Sequence, residues 1–199
     1  MNPSALSLII VFFLANFVTL PFYAWLPTFI SEKFHVGIAE AAFTGTFYLQ
    51  ASSAIGAVVG GFVADRWRLR SPGGRILTQA VGVFCYAPFM FLVGGTETYS
   101  TCISAMCLLG IFKGMYDANV WAAFYDVVPV SRRGTTCGFA NTLAWSGGAI
   151  SVFLVGAVVD SKALTMSQTL QCFPFLNIIM TILLLFASRR LPRSGLSEQ

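Results

Sequence analysis

Six long apolar runs dominate this chain of 199 residues and restrict its fold more than any other feature. They cover about 5–30, 41–64, 76–93, 99–128, 135–159 and 169–187, and short polar links separate them. A helix that crosses a bilayer needs about 17–25 predominantly apolar residues, so each run is long enough. The sequence therefore predicts an all-α polytopic membrane protein with six transmembrane helices over residues 1–199.

The composition supports a membrane environment. Hydrophobic residues make up 56% of the chain and charged residues 10%, whereas soluble domains carry about 25% charged residues. The net charge of +4 does not indicate nucleic acid, because the basic residues lie at the ends of apolar runs. The five cysteines form no CxxC pair and are interpreted as buried thiols. We expect the lipid bilayer as surroundings, and no metal, cofactor or nucleic-acid partner.

The distribution of lysine and arginine predicts the orientation. Nine of the twelve basic residues fall on one side of the predicted membrane: Arg66, Arg68, Arg70, Arg75, Arg132, Arg133, Arg189, Arg190 and Arg193. The opposite side has Lys33 and Lys162, and Lys113 lies within a run. Since cytoplasmic connections carry the excess of positive charge, both termini are predicted to be cytoplasmic, in a protein of the plasma (inner) membrane.

Small residues recur at four-residue spacing in two of the runs. The second run carries Ser52, Gly56, Gly60 and Ala64, with Ser53, Ala57 and Gly61 beside them, and the fifth run carries Ala140, Ala144 and Gly148. Such spacing places small side chains on one helix face, where another backbone can approach closely. Generic membrane-helix composition is the alternative, and the two parallel stripes favour close packing.

An internal echo relates the second and fifth runs. Ala54 and Asp65 bound a pattern of small and aliphatic residues that returns, without gaps, between Ala149 and Asp160. The two runs cross the predicted membrane in opposite directions. Three helices followed by three of opposite topology are typical of inverted repeats, so we predict a 3+3 arrangement.

The fourth run contains two charged residues near the predicted centre of the bilayer, where inserting a charge costs free energy. Residues 113–119 place Lys113 and Asp117 four positions apart, hence on one helix face. A charge near the bilayer centre costs about 2.5–3.5 kcal/mol on insertion scales. One interpretation is a buried ion pair that locks this helix to its neighbours. The other is a substrate-binding site, with an anion on Lys113 and Asp117 as the pairing or proton-accepting group.

Other polar side chains inside the runs are further candidates for a substrate-binding cavity. They are Asn16 and Tyr23 on the first run, Gln50 on the second and Asn141 on the fifth. An interhelical hydrogen bond, worth about 0.6 kcal/mol on average, is an equally good explanation for each of them. The sequence contains no nucleophile elbow, phosphate loop or dinucleotide fingerprint, so we do not expect an enzyme.

Two connections resemble signature segments of the major facilitator superfamily. In residues 60–70 the matching positions are Gly61, Asp65, Arg66 and Arg70, while Arg68 stands where the family usually has glycine. Residues 129–138 are similar to the family's Pro-x-x-x-Arg-Gly-x-x-x-Gly junction between the fourth and fifth helices of a half. The resemblance implies a gating role for Gly61, Asp65, Arg66, Arg70, Arg132 and Arg133, with Asp65 near the start of the fifth run.

The resemblance covers the whole chain, but the chain corresponds to one six-helix half of the family's fold. We expect the C-terminal half, because the segment after the sixth run is short and residues 22–29 resemble the seventh helix of the spinster-like and organic anion:cation symporter branches.

The implied function is secondary transport of a small organic solute, such as an organic anion or sugar derivative, by alternating access. A proton or sodium ion would be coupled to it, and a separate chain or a second copy would supply the other half. The alternative is a truncated, non-transporting remnant or interaction protein.

Overall fold

The computed structural model describes residues 3–191, which form seven α-helices and one short 3-10 turn. The helices are α1 Pro3–Phe34, α2 Ile38–Arg68, α3 Gly74–Gly95, α4 Tyr99–Asp117, α5 Val120–Val127, α6 Arg133–Asp160 and α7 Met166–Arg189, and the 3-10 turn is Val130–Arg132. Arg193, which contributes to the predicted orientation, lies outside the described residues.

The prediction of an all-α membrane protein is confirmed. Within residues 3–191, five helical segments are long and apolar enough to cross a membrane: Pro3–Phe34, Ile38–Arg68, Gly74–Gly95, Val130–Asp160 and Met166–Arg189. The remaining segment is α4 with α5, and α4 carries Lys113 and Asp117 near its end. Several helices extend past the apolar runs, and a side-chain cap is recorded for α7 among residues 3–191. Thr165 and Gln168 form this reciprocal capping box at the start of α7.

The fourth run is not one continuous helix, and this part of the prediction is wrong. The helix breaks at Ala118 and Asn119, and the amide N–H of Asn119 bonds the carbonyl of Tyr116, a single 3-10-type contact of 3.1 Å. The Asn119 side chain donates to the carbonyls of Met115 at 2.9 Å and Gly60 at 3.2 Å. The Asn119 amide thus hydrogen-bonds two backbone carbonyls at the break. The break itself contains neither proline nor glycine.

The five most extensive helix contacts have the symmetry of an inverted repeat, while the smaller contacts of α2 with α1 and α3 are not matched by equal contacts of α6 with α4 and α7. The most extensive helix contacts, in decreasing order, join α2 with α4, α3 with α7, α1 with α6, α3 with α4 and α1 with α7. Exchanging α1, α2 and α3 with α4, α6 and α7 leaves this set of neighbours unchanged. The contacts therefore agree with two three-helix units related by a two-fold axis in the membrane plane.

The internal echo aligns the buried faces of α2 and α6. The buried face of α2 includes Gly45, Leu49, Ser52, Ser53, Gly56 and Gly60. The echo pairs these positions, in order, with Ala140, Ala144, Gly147, Gly148, Ser151 and Val155, and all of these are buried in α6. Corresponding positions of the repeat are therefore buried in both helices, so α2 and α6 face their neighbours with equivalent sides.

The small-residue stripe of α2 is a close-packing surface, as predicted. A Cβ atom at Gly56 would overlap the backbone of Ile111, and one at Gly60 would lie 2.5 Å from Cα of Met115 on α4. Gly61 differs, because a Cβ atom there would meet nothing within 4 Å. The closest approach of α2 to α4 therefore uses the stripe that contains Gly56 and Gly60.

Hydrogen bonds define the two ends of the bundle. At one end, the hydroxyl of Ser4 donates to the carbonyl of Ala187 over 3.3 Å, so the start of α1 lies beside the end of α7. At the other end, Nζ of Lys33 donates to the carbonyl of Gly94 at 3.1 Å and to the hydroxyl of Ser167 at 3.2 Å. We call the first the arginine-rich end, because it also carries the α2–α3 connection and the α5–α6 junction.

Candidate functional site: a polar cluster within the bundle and a charge cluster at its end

Lys113 and Asp117 form an ion pair on α4, one turn before the helix breaks. The Lys113 side chain is 14% exposed and the Asp117 side chain 43%. Lys113 is thus largely enclosed, and Asp117 is its partner on the more open side. Pairing offsets part of the cost of placing either charge within the membrane.

Side chains from two other helices meet this pair. Nζ of Lys113 lies 5.4 Å from the ring centroid of Tyr23 on α1, a cation–π distance. The hydroxyl of Tyr23 donates to Oε1 of Gln50 on α2 over 3.3 Å. The structure therefore brings together four of the six predicted substrate-binding residues. We refer to Tyr23, Gln50, Lys113 and Asp117 as the polar cluster.

Asn16 and Asn141 make no recorded contact with the polar cluster in residues 3–191. The Asn16 side chain donates to the carbonyl of Phe12, one turn earlier on α1, over 2.9 Å. Asn141 is exposed on α6. A role for these two amides in binding a solute stays a prediction.

Four charged side chains form a second cluster at the arginine-rich end. Nη1 of Arg75 lies 3.1 Å from Oδ1 of Asp126, and Nη2 of Arg75 lies 3.3 Å from Oδ1 of Asp65. Nη2 of Arg68 lies 3.3 Å from the same oxygen of Asp126. The charge cluster, Asp65, Arg68, Arg75 and Asp126, thus links α2, α3 and α5. Asp126 is its most enclosed member, with a side chain 13% exposed.

Some of the predicted gating residues form ion pairs or side-chain hydrogen bonds, and others do not. Asp65 pairs with Arg75 near the start of α3, and its predicted position near the start of the fifth run stays a prediction. Arg133 donates to the carbonyls of Tyr125 at 2.8 Å and Val128 at 3.3 Å, and so caps the end of α5. A last group shows no ion pair or side-chain hydrogen bond in residues 3–191: Arg66, Arg70 and Arg132.

Sequence reasoning missed Asp126 and the roles of Arg68 and Arg75. The sequence pattern gives Arg75 only as a positive charge of a cytoplasmic connection, and Arg68 only as such a charge at a position where the family usually has glycine. Asp126 stands three residues before the proline of the second signature segment, and that position was the one available signal. Arg75 and Asp126 are 51 positions apart, so their pairing depends on the packing of α3 against α5.

A helical bundle with a paired cation and anion inside it defines a class of protein: a polytopic membrane protein with a polar interior wall. The Major Facilitator Superfamily profile matches residues 1–152, and the chain belongs to this superfamily. The predicted family is thereby confirmed, and the fold is half of the fold of this superfamily.

Curated relatives are transporters. The chain is 27% identical over 178 residues to the "Hexuronate transporter" of Bacillus subtilis (strain 168), which covers 84% of this chain and 42% of the relative. It is 26% identical over 144 residues to the "Minor myo-inositol transporter IolF" of the same organism, covering 72% of this chain and 30% of the relative. The chain thus spans less than half the length of both relatives.

Solved structures show the same fold. A bacterial homologue of the human lysosomal transporter Spinster, in an inward-facing and occupied conformation, matches 96% of this chain and 50% of its own length. The TM-score is 0.74 at 16% sequence identity. The inward-facing and unoccupied conformation matches with a TM-score of 0.63. At this identity the likeness concerns the fold, and the predicted nearness to the spinster-like branch stays a prediction.

Proposed function

We propose that this chain is one half of a secondary transporter that moves a polyhydroxylated organic anion, with a hexuronate as the leading solute, by alternating access. The observation that supports this most strongly is the polar cluster. It combines a largely enclosed cation with a hydroxyl and an amide from two other helices. Such groups are costly within a membrane, and a polar pathway is the usual reason for them.

The chemistry of the cluster suits a sugar acid. A carboxylate would take the place of Asp117 as the partner of Lys113, whose ammonium has three donors. The hydroxyl of Tyr23 and the amide of Gln50 each donate and accept, which suits the hydroxyls of a sugar. The names of two relatives point to the same type of solute, since hexuronates and myo-inositol both carry several hydroxyls. Lys113 favours the charged member of that pair.

Asp117 provides a route to proton coupling. While Asp117 is ionised, it is the partner of Lys113 and competes with a solute carboxylate. Protonation of Asp117 removes this competitor and leaves the cation free for the solute. One proton and one solute anion would then bind to the cluster together. The site would be neutral both with and without them, because the solute carboxylate replaces the charge that Asp117 loses on protonation. A sodium ion in place of the proton would require a carboxylate that remains ionised.

A second six-helix half would complete the cavity. The exposed sides of α2 and α6 carry large apolar residues, including Phe62 at 72% and Phe153 at 76% exposure. We propose that these sides meet the other half, supplied by a separate chain or a second copy. On the resemblance of residues 22–29 to a seventh helix, this chain is proposed to be the C-terminal half, in the plasma (inner) membrane with both termini in the cytoplasm.

The charge cluster is proposed to hold the arginine-rich end closed in one conformation. Asp126 joins Arg68 and Arg75, so α2, α3 and α5 move together while these ion pairs persist. Opening at this end would break them, with Asp65, Arg66, Arg70, Arg132 and Arg133 exchanging partners. Gly61 lies beside this region and would allow close approach of a segment from the other half.

Uptake into liposomes tests the proposal. The chain is reconstituted alone and with a co-expressed N-terminal half, and entry of labelled glucuronate and myo-inositol is followed with an imposed proton or sodium gradient. We expect saturable uptake of glucuronate that an inward proton gradient accelerates. Exclusive uptake of myo-inositol would contradict the anionic solute. Absence of uptake in every assembly, from protein that is folded and monodisperse, would support the non-transporting alternative.

A further inference from the structure

We infer that the groove between α3 and α7, on the lipid-facing side of the bundle, binds one acyl chain of an anionic phospholipid whose phosphate is held by Arg70 and Arg189. This site goes beyond the proposed transport function and contains none of the polar cluster. Four features of the molecule carry the inference: the length of the groove, its lining, the residues at its mouth and the pairing of the nearby arginines.

The groove consists of two adjoining cavities of about 600 Å³ and about 570 Å³. They share Phe84, Cys85 and Thr181, so they form one continuous surface depression. Along α3 the lining runs from Leu77 to Phe91, which corresponds to about 21 Å at about 1.5 Å per residue. One leaflet is about 15 Å deep, half of a hydrocarbon core of about 30 Å. The groove is therefore long enough for an extended acyl chain.

The lining is apolar over this length. Phe84, Phe91 and Ile178 face the groove, and the hydroxyl of Thr181 is already bonded to the carbonyl of Asn177 at 2.8 Å. Among the described residues, no buried side-chain nitrogen or oxygen lacks a hydrogen-bond partner, so the interior of the groove presents no buried polar group that needs one. The apolar lining of Phe84, Phe91 and Ile178 suits a hydrocarbon occupant.

Polar and basic residues lie where the groove reaches the arginine-rich end. Trp67 and Arg70 line the mouth, and tryptophan is enriched at the level of lipid headgroups. Leu185 of α7 lines the same mouth, and Arg189 follows it by four positions, hence on the same helix face one turn further out. Two cations from different segments thus border the end of an apolar channel.

Arg70 and Arg189 differ from Arg68 and Arg75 in having no acidic partner among the described residues. Arg68 and Arg75 pair with Asp126, and Arg75 also pairs with Asp65. Arg70 and Arg189 have no acidic partner in residues 3–191 and are exposed. Guanidinium groups bind phosphate with paired hydrogen bonds, and basic sites at helix ends select anionic lipids. Phosphatidylglycerol fits this mouth, whereas phosphatidylcholine would add a cation beside the two arginines.

Photo-crosslinking tests the site on the full chain in nanodiscs of phosphatidylcholine. A small fraction of phosphatidylglycerol carries a photoreactive group near the end of one acyl chain, and labelled peptides are identified by mass spectrometry. We expect labelling of residues 84–91 and 174–181, several-fold above that obtained with a phosphatidylcholine probe. The double variant Arg70→Gln/Arg189→Gln should lower the labelling to the phosphatidylcholine level. Arg132→Gln, which removes an unpaired arginine at the same end, should not.

A second pair of variants tests the groove itself. Val81→Trp would fill the groove from its lipid side and should abolish the labelling, whereas Ile182→Trp, on the exposed side of α7 outside the lining, should preserve it. Thermal unfolding in detergent checks that all variants remain folded. Equal labelling by both lipid probes, or full labelling of the Arg70→Gln/Arg189→Gln or Val81→Trp protein, would overturn the inference.

Discussion

The hydroxyl of Tyr23 on α1 donates a hydrogen bond to Oε1 of Gln50 on α2 over 3.3 Å, and the ring of the same tyrosine lies 5.4 Å from Nζ of Lys113 on α4. One side chain thus connects the amide and the cation of the polar cluster. The ring lies beside the charge, and a solute could replace Gln50 as the partner of the hydroxyl. Removing the hydroxyl of Tyr23 while keeping its ring therefore tests the contribution of the hydroxyl by itself.

Tyr23→Phe should weaken solute binding without removing the cation–π contact. The variant keeps the ring over Lys113 and loses one hydrogen bond, worth about 0.5–1.5 kcal/mol, so KM for glucuronate uptake should rise about 2- to 12-fold. Tyr48→Phe is the matched control, because Tyr48 lies on α2 against Phe47 and outside the cluster. An unchanged KM for Tyr23→Phe would remove this hydroxyl from the proposed site.

Gly56→Ala should destabilise the bundle. The added Cβ atom would overlap the backbone of Ile111, and forcing a methyl group into a close-packed contact typically costs about 1–3 kcal/mol. Gly61→Ala is the control on the same helix, since its Cβ atom would meet nothing within 4 Å. Thermal unfolding in detergent measures both. Equal stability of the two variants would contradict the close approach of α2 and α4.

Asp126→Asn should loosen the arginine-rich end. The carboxylate holds Arg68 and Arg75, and its loss leaves two partly enclosed guanidinium groups without this anion. The expected cost lies between that of an exposed pair, about 1 kcal/mol, and that of a buried one, about 3–5 kcal/mol.

Hydrogen exchange of the α2–α3 connection, residues 69–73, measures this loosening and should become faster in Asp126→Asn. Asp160→Asn removes an exposed carboxylate at the end of α6 and should leave the exchange unchanged. Unaltered exchange in Asp126→Asn would argue against a role of the charge cluster in holding these segments together.

Gln79→Leu should destabilise the protein, because it removes a hydrogen bond at the break between α4 and α5. The Gln79 amide donates to the carbonyl of Asn119 over 2.7 Å, and both residues are buried. Leaving that carbonyl without its donor should cost about 1–3 kcal/mol. Asn141→Leu, which removes an exposed amide from α6, should change the unfolding temperature little. A stable Gln79→Leu protein would show that the break does not depend on this contact.

The features that could be predicted from the sequence are those that repeat along a helix. Run lengths, small residues at four-residue spacing and the echo between Asp65 and Asp160 each leave a local pattern. They predicted the all-α fold and the close packing of α2. The prediction of half of the Major Facilitator fold came instead from the resemblance of residues 60–70 and 129–138 to signature segments of that superfamily. The pairing of Lys113 with Asp117 was visible for the same reason, because positions four apart meet on one face.

The features that escaped prediction depend on residues distant in sequence. The break at Asn119 relies on the carbonyl of Gly60, 59 positions earlier, and on Gln79, 40 positions earlier. A single asparagine in an apolar run gives no local sign of such partners. The same holds for Asp126, whose arginines are identified only by the packing of α2, α3 and α5.

Uptake of glucuronate by Lys113→Ala protein is the most direct measurement of the central claim, that Lys113 binds the solute. The initial rate is measured in the transporting assembly and normalised to the protein inserted in the liposomes, with Lys162→Ala as the matched loss of a lysine outside the bundle interior. The account predicts that Lys113→Ala abolishes uptake while insertion is retained, and that Lys162→Ala transports normally. Normal uptake by Lys113→Ala would contradict it.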